Sequence, residues 1–365
     1  MRQLKLQGLD SFSVHKLEEF WKNYNPRKDK PKILGISIST SNRCNLRCIY
    51  CYSGVNKKPF SNELSLDEQR DIISQAKFLG AETVIICGDG EPTMDKNLLG
   101  IISHAKSLGM FSVIVTNANI FGDDELCKKI HDINSINFLK DIYNSNASII
   151  AKVDSLVEDK YDTIVGKQKA YKYFMCGINR AIEMGFTLDK RDKEVTRLSL
   201  SSVVMKNNIS ELMDLKKFAE SIRAQYICKL PSLVGNALEN VDSMFEVSEY
   251  EKIRKKILAY TAKRETLMVD TPRCMAWHYG PTIDCCGEVR ECYTSPCSKD
   301  ARIGNIREYS LYELIQRRIK LYDITNKDFC PVKSRINKAF ERRNLNKIWT
   351  IEPNCIGCKD KIKSF

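Results

Sequence analysis

A chain of 365 residues, 43% hydrophobic and 28% charged, exceeds one average domain and can bury a substantial core while remaining soluble. Fifteen cysteines, with no charged-then-apolar leader and no apolar run near about eighteen residues, argue against secretion and a membrane span; they read as ligands and thiols of a cytoplasmic protein, not as disulfides. The net charge of +12 permits attraction to acidic surfaces, phosphates or an acidic electron carrier without choosing among them.

Residues 1–32 form an N-terminal extension that matches no pattern. Over 33–235, short apolar, often β-branched segments alternate with helix-like ones: the pattern predicts strands at 35–40, 83–88, 111–117, 147–154, 197–205 and 226–230. Capping boxes mark helix starts at Ser65 with Glu68 and at Asn208 with Glu211. Six β–α units of this kind predict an α/β fold, a partial (β/α)6 TIM-like barrel with parallel strands inside and helices outside. Such folds place ligands beyond the carboxyl ends of their strands.

At the mouth of the first strand stands SNRCNLRCIYC, in which Cys44, Cys48 and Cys51 make a C-x3-C-x2-C triplet. A [4Fe–4S] cube wants a ligand on each iron and thiolates are its preferred protein donors, so a triplet supplies three and leaves one iron open. Zinc would ask for four tetrahedral ligands, and no fourth Cys or His lies nearby in sequence, although a zinc site borrowing a distant ligand stays open. At the end of the second strand stands GDGEP: Gly88, Asp89, Gly90, Glu91 and Pro92. Its glycines let bare backbone approach a ligand, and Glu91 offers a carboxylate to an ammonium group.

With Tyr50 before the last cysteine, the triplet resembles the signature of the radical S-adenosylmethionine (SAM) superfamily, and GDGEP resembles that superfamily's glycine-glycine-glutamate-proline loop with an extra residue. The resemblance implies that SAM chelates the open iron through its amino and carboxylate groups. One electron from the cluster then cleaves it to methionine and a 5′-deoxyadenosyl radical that abstracts hydrogen from substrate. The implied cofactor-binding residues are Tyr50, Gly88, Asp89, Gly90 and Glu91. Thr116 and Asn117 end the third strand and resemble the superfamily's threonine-asparagine-glycine step, with Ala118 in place of the glycine. Lys152 and Asp154 end the fourth strand, where they hold polar groups of SAM or substrate, or else pair with each other or with loops. One of Ser201 and Ser202 points into the barrel by strand alternation.

Residues 236–270 read as a helical linker, with a helix opened by Ser248 and Glu251, and 271–365 as a small cysteine-rich domain. The run from Cys274 through Gly287 to Cys292 has twelve residues before the glycine and four after it, and Cys355 with Cys358 forms C-x2-C. This resembles the SPASM and twitch domains, which implies at least one auxiliary [4Fe–4S] cluster held by Cys274, Cys292, Cys355 and Cys358. Cys285, Cys286, Cys297 and Cys330 are left over, while Cys87, Cys127, Cys176 and Cys228 read as core residues. The four histidines form no cluster, and the basic stretch 333–347 reads as a solvated helix face without aromatic interleaving, so nucleic acid is not indicated.

The resemblance therefore implies a radical SAM oxidoreductase or related radical-initiated enzyme. The twitch-like tail points to a small polar substrate, a sugar or aminocyclitol that is dehydrogenated, epimerised or dehydrated. The alternatives are a peptide or protein side-chain maturase, and a non-catalytic iron–sulfur electron carrier or scaffold. The positive charge suits a flavodoxin or ferredoxin as reductant.

Overall fold

A computed structural model describes residues 4–9, 12–54, 58–188, 192–231, 235–245, 280–290 and 302–321, with residues 249, 252–253 and 257 between them. The elements in chain order are β1 (Lys5–Leu6), α1 (Val14–Asn23), β2 (Gly35–Ile38), α2 (Leu66–Phe78), β3 (Thr83–Ile86), α3 (Leu98–Ser107), β4 (Phe111–Thr116), α4 (Asp124–His131), α5 (Ser135–Asn144), β5 (Ser148–Lys152), α6 (Glu158–Val165) and α7 (Ala170–Glu183). They continue as β6 (Val195–Thr196), β7 (Leu198–Val203), α8 (Leu212–Ser221), β8 (Gln225–Lys229), α9 (Asn236–Glu239), β9 (Thr282–Ile283), β10 (Glu288–Arg290), β11 (Arg302–Asn305) and α10 (Leu311–Leu321).

Six strands, β2-β3-β4-β5-β7-β8, run parallel in this order, each within a residue or two of the segments that their apolar, β-branched runs predict. Alternation sorts their side chains: Ile36, Ile38, Val84, Ile86, Ile114, Ile149, Ala151, Leu198 and Leu200 are buried in one apolar cluster with helix residues such as Ile72, Ile73, Ile101, Ile102, Phe138 and Leu215. This is the α/β architecture of a partial TIM-like barrel. Helix α2 begins at the expected capping box, the Ser65 hydroxyl accepting from the Glu68 amide and the Glu68 carboxylate accepting from the Ser65 amide.

Asn208 departs from expectation. Its side chain caps no helix; it accepts from the Met205 amide and donates to the Asp154 and Val203 carbonyls, tying the ends of β5 and β7 together. Glu211 likewise leaves its helix to accept from the Ser155 hydroxyl and the Leu156 amide beside Lys160. Asparagine's paired donor and acceptor fit a strand-end clamp as well as a cap, and only tertiary contacts choose between them.

The extension packs against the amino-terminal end of the barrel. Strand β1 pairs in parallel with β6, the Gly8 carbonyl accepts from Thr83 Oγ1 at 2.7 Å, and the Leu4 carbonyl accepts from Gln225 Nε2 at 3.1 Å.

At the other edge, β9 pairs in parallel with β2, and β10 and β11 continue the same sheet antiparallel, for the order β11-β10-β9-β2-β3-β4-β5-β7-β8. The hairpin expected to open a separate domain is thus built onto the barrel edge. Two-residue β9 carries no periodicity from which this could be read. The expected helix start at Ser248 and Glu251, and the expected ligands Cys274, Cys292, Cys355 and Cys358, lie outside the described residues. No described helix is long and apolar enough to cross a membrane.

Candidate active site

Cys44, Cys48 and Cys51 lie on the loop beyond the carboxyl end of β2, all three partly buried and, like the other described cysteines, in no disulfide. The loop is held from several sides. The Arg47 and Ile49 amides donate to the Val165 and Ile164 carbonyls at 2.8 and 3.0 Å. Tyr50 donates its hydroxyl to Asp154 Oδ2, and Asn45 Oδ1 accepts from Asn117 Nδ2 at 2.8 Å. Gly235 and Asn236 close the far side: the Asn236 amide donates to the Cys51 carbonyl at 2.8 Å and Asn236 Nδ2 to the Cys48 carbonyl at 2.9 Å. Gly235 has φ +58°, and a Cβ there would lie 2.4 Å from the Tyr52 carbonyl oxygen, so only glycine admits this approach. We expect Asn236→Ala to lower the iron retained on anaerobic gel filtration and to cost about 1–2 kcal/mol in urea unfolding, since the Cys48 carbonyl loses a buried donor.

Burial, with Cys51, Cys44 and Asp154 nearby, pushes the Cys48 thiol well above its ordinary pKa. Among the described residues no three His, Cys, Asp or Glu side chains converge closely enough for one metal ion.

Beyond β3, GDGEP packs directly on the cysteine loop. A Cβ on Gly90 would lie 2.3 Å from the Arg43 carbonyl oxygen and 2.5 Å from that of Ser41, and one on Gly88, at φ +148°, 2.3 Å from Ser39 Cβ. The close approach that these glycines permit is therefore between two pieces of the chain. We expect Gly90→Ala to cost more than about 2 kcal/mol and several degrees of Tm in a thermal melt, because backbone atoms cannot move aside as a flexible side chain does.

Glu91 is buried, 4% exposed, with donors on both carboxylate oxygens. Its Oε1 accepts from the Thr93 amide and hydroxyl at 3.1 and 2.7 Å and from the Thr116 hydroxyl at 2.5 Å; its Oε2 accepts from the Asn117 amide at 2.7 Å. Burial raises its pKa, and these donors oppose the rise. Ala118 then takes φ +59°, left-handed, where the motif it resembles has glycine. The strain of about 1–2 kcal/mol is partly offset by burial of its methyl group, worth about 0.8 kcal/mol, which accounts for an alanine being tolerated here.

The sequence offers Asp89, Lys152 and Asp154 as cofactor-binding residues, with pairing to each other or to loops as the alternative for the last two, and the structure gives the three different neighbours. Asp154 Oδ1 accepts from the Val203 amide at 2.6 Å while Oδ2 takes Tyr50, so this carboxylate fastens the cysteine loop to β5 and β7. The Asp89 carboxylate is gripped by Arg290. Lys152 hydrogen-bonds to neither: its Nζ is buried with no hydrogen-bond partner among the described residues, 5.7 Å from the centroid of the Tyr50 ring, and burial lowers its pKa against the opposing pull of Asp154 and Cys48. Ser201 stands in register beside Lys152, whereas Ser202 points to the other face, donating to the Val153 carbonyl and accepting from the Tyr226 hydroxyl. Asn236 and Arg290 were not legible in the sequence, lying far from the motifs they serve. Cys127 and Cys228 are buried core residues, Cys87 and Cys176 half-buried.

The donor set suits an iron–sulfur cube bound to a small zwitterion. Three thiols share one loop, and Lys152 Nζ and Asn45 Nδ2 are buried donors with no acceptor among the described residues. A buried amine with no hydrogen-bond acceptor is costly, and a ligand carboxylate would supply one.

Residues 38–219 match the family model of the radical SAM superfamily. Among curated proteins, the Fe-coproporphyrin III synthase of Methanosarcina barkeri is 35% identical over 106 residues, covering 29% of this chain and 26% of its own. The GTP 3′,8-cyclase of Mannheimia succiniciproducens is 30% identical over 177 residues, 47% of this chain and 45% of its own. The chain thus spans less than half the length of these curated relatives. Among solved structures, Streptococcus suis SuiB bound to the precursor peptide SuiA superposes with a TM-score of 0.62 at 16% identity, covering 83% of this chain and 69% of that one, a likeness of fold. The chain belongs to the radical SAM superfamily, enzymes that use a [4Fe–4S] cluster and S-adenosylmethionine.

Proposed function

We propose that Cys44, Cys48 and Cys51 bind three irons of the cube, that SAM occupies the fourth, and that the enzyme abstracts hydrogen from a small polar substrate, a sugar or sugar-like molecule. When bound, cluster and SAM together supply one-electron cleavage of the sulfonium to methionine and a 5′-deoxyadenosyl radical. The chain's own residues position and exclude. Tyr50–Asp154 and Asn45–Asn117 fix the loop at the ends of β5 and β4. Glu91, oriented by Thr93, Thr116 and Asn117, keeps acceptor capacity on Oε2 for the SAM ammonium. The observation that carries this reading is Lys152: a buried amine with no hydrogen-bond acceptor among the described residues is relieved by the carboxylate of SAM or by an anionic group of the substrate.

The likeness to an enzyme named for acting on GTP, a ribose-bearing nucleotide, supports the sugar-like class, since that match runs over nearly half of this chain. Cys274, Cys292, Cys355 and Cys358 are proposed to hold one auxiliary [4Fe–4S] cluster that orients the substrate or accepts its second electron. The net charge of +12 supports an acidic flavodoxin or ferredoxin as reductant in the cytoplasm, with reduction slowing as salt rises. The test is to incubate reduced protein with SAM and deuterium-labelled candidates and to follow the label into 5′-deoxyadenosine. Transfer from a sugar and not from peptides supports the proposal; transfer from peptides alone overturns the substrate class and keeps the chemistry.

A further inference from the structure

The residue that sets GDGEP apart from the motif it resembles is Asp89, which stands between the two glycines, and its carboxylate is taken by the C-terminal hairpin. Arg290, at the end of β10, donates from its two terminal nitrogens to Asp89 Oδ1 and Oδ2 at 2.9 and 3.2 Å, a fork-on-fork pair. The same guanidinium donates to Asp284 Oδ2 at 2.8 and 3.2 Å. All three residues are buried, with exposures of 6–8%. Asp284 in turn fixes the turn between β9 and β10, accepting from the Cys286 and Glu288 amides at 2.9 Å each.

Asp89 is also a junction on its backbone side. Its amide donates to Ser39 Oγ at 3.0 Å, and its carbonyl accepts from the hydroxyl of Ser53, two residues beyond Cys51, at 2.5 Å. One guanidinium from the hairpin therefore grips the point where the loop carrying Glu91 meets the loop carrying Cys51. An ion pair that merely docked the hairpin would have no need of this point, since β9 already pairs with β2.

We propose that Arg290 is a positioning residue for the SAM site: through Asp89 it sets the placement of Glu91 relative to the cysteine loop, so that the C-terminal hairpin is part of the active site. This rests on the reading of the two loops given under Proposed function. Because a guanidinium spans two carboxylates in one plane and a point-charge ammonium does not, Arg290→Lys restores charge without restoring geometry.

The experiment uses full-length, anaerobically reconstituted protein and reads the change that SAM makes in the electron paramagnetic resonance signal of the reduced cluster, titrated well below the melting temperature. Arg290→Gln and Asp89→Asn are each expected to raise the SAM concentration for half-change at least tenfold with iron content retained, and Arg290→Lys to recover only part of it. The Asp89→Asn/Arg290→Gln double variant should be no worse than the weaker single, as members of one link are not additive. A hairpin-docking role alone would lower the melting temperature and leave the titration midpoint within threefold of wild type in both single variants, and that result overturns the proposal. Should Arg290→Gln not fold, with Asp89 and Asp284 left facing each other, Asp89→Asn decides alone, since it keeps the Arg290–Asp284 pair. If wild type itself shows no SAM-dependent change, it is the assignment of the SAM site that fails; a normal response in wild type and variants alike sinks only the role of Arg290.

Discussion

Cys48→Ala, reconstituted anaerobically with iron and sulfide, is expected to hold one cluster's worth of iron less than wild type and to form no 5′-deoxyadenosine above background. Each thiolate in the proposed arrangement serves a different iron, so losing one leaves two corners of the cube without a protein ligand. The loop also has little freedom to supply a substitute. Its carbonyls and amides are held by Asn236, Val165 and Ile164, and Tyr50 is tied to Asp154. The fold should survive the change, because the alanine removes a partly buried thiol and no hydrogen bond of the barrel, and circular dichroism can check this. Cys355→Ala is the counterpart. If that cysteine belongs to an auxiliary cluster, the variant loses product yet keeps SAM cleavage uncoupled from substrate. Full cleavage by Cys48→Ala would remove the assignment of the triplet, and equal loss of both activities in Cys355→Ala would contradict the division of labour between barrel and tail.

What the sequence discloses here is local and periodic. The six parallel strands follow from β-branched apolar runs, and the terminal residues of β4 and β5, Thr116 and Lys152, were placed on the rim simply because parallel strands put their carboxyl ends together. The capping box at Ser65 was legible for the same reason, since both partners lie three residues apart. The tertiary wiring was hidden. Asn236 reaches Cys48 across 188 residues, and Arg290 reaches Asp89 across 201. An asparagine after a glycine or an arginine in a short polar strand carries no local mark of such a role. Asp154 shows the same limit from the other side: its position on the rim was read correctly, but whether a carboxylate there faces a ligand or fastens a loop depends on Tyr50 and the Val203 amide, both distant in sequence. The glycines of GDGEP promise room for the close approach of a ligand, and that room is used by Ser39 at Gly88 and by residues 41–43 at Gly90. A glycine's lack of a side chain says that something comes close, not what comes close.

Glu91→Gln should be the most damaging conservative change outside the cysteines, for a reason that the donor pattern makes specific. Every group around this carboxylate is a donor: the Thr93 amide and hydroxyl and the Thr116 hydroxyl at Oε1, and the Asn117 amide at Oε2. A carboxylate offers acceptors on both oxygens, whereas glutamine must set its amide nitrogen against donors whichever way it turns. With the amide nitrogen toward Asn117, one buried backbone donor is stranded and the group facing a SAM ammonium becomes a donor itself; turned over, it confronts three. Stranding one buried donor costs about 1–3 kcal/mol of folding stability. Losing a charge-assisted bond to the ammonium weakens SAM binding by up to about 3 kcal/mol, on the order of a hundredfold in the half-saturating SAM concentration. Thr116→Val separates the two effects. It removes one of the three donors at Oε1 and strands the buried Ala118 amide, which donates to the Thr116 hydroxyl at 3.0 Å, so it should lower stability by about 1–3 kcal/mol yet move the SAM midpoint only a few-fold. If Glu91→Gln instead matched Thr116→Val, with a modest loss of stability and a near-normal midpoint, Glu91 would be a brace between β3 and β4 and the ammonium would have to be sought elsewhere on the rim.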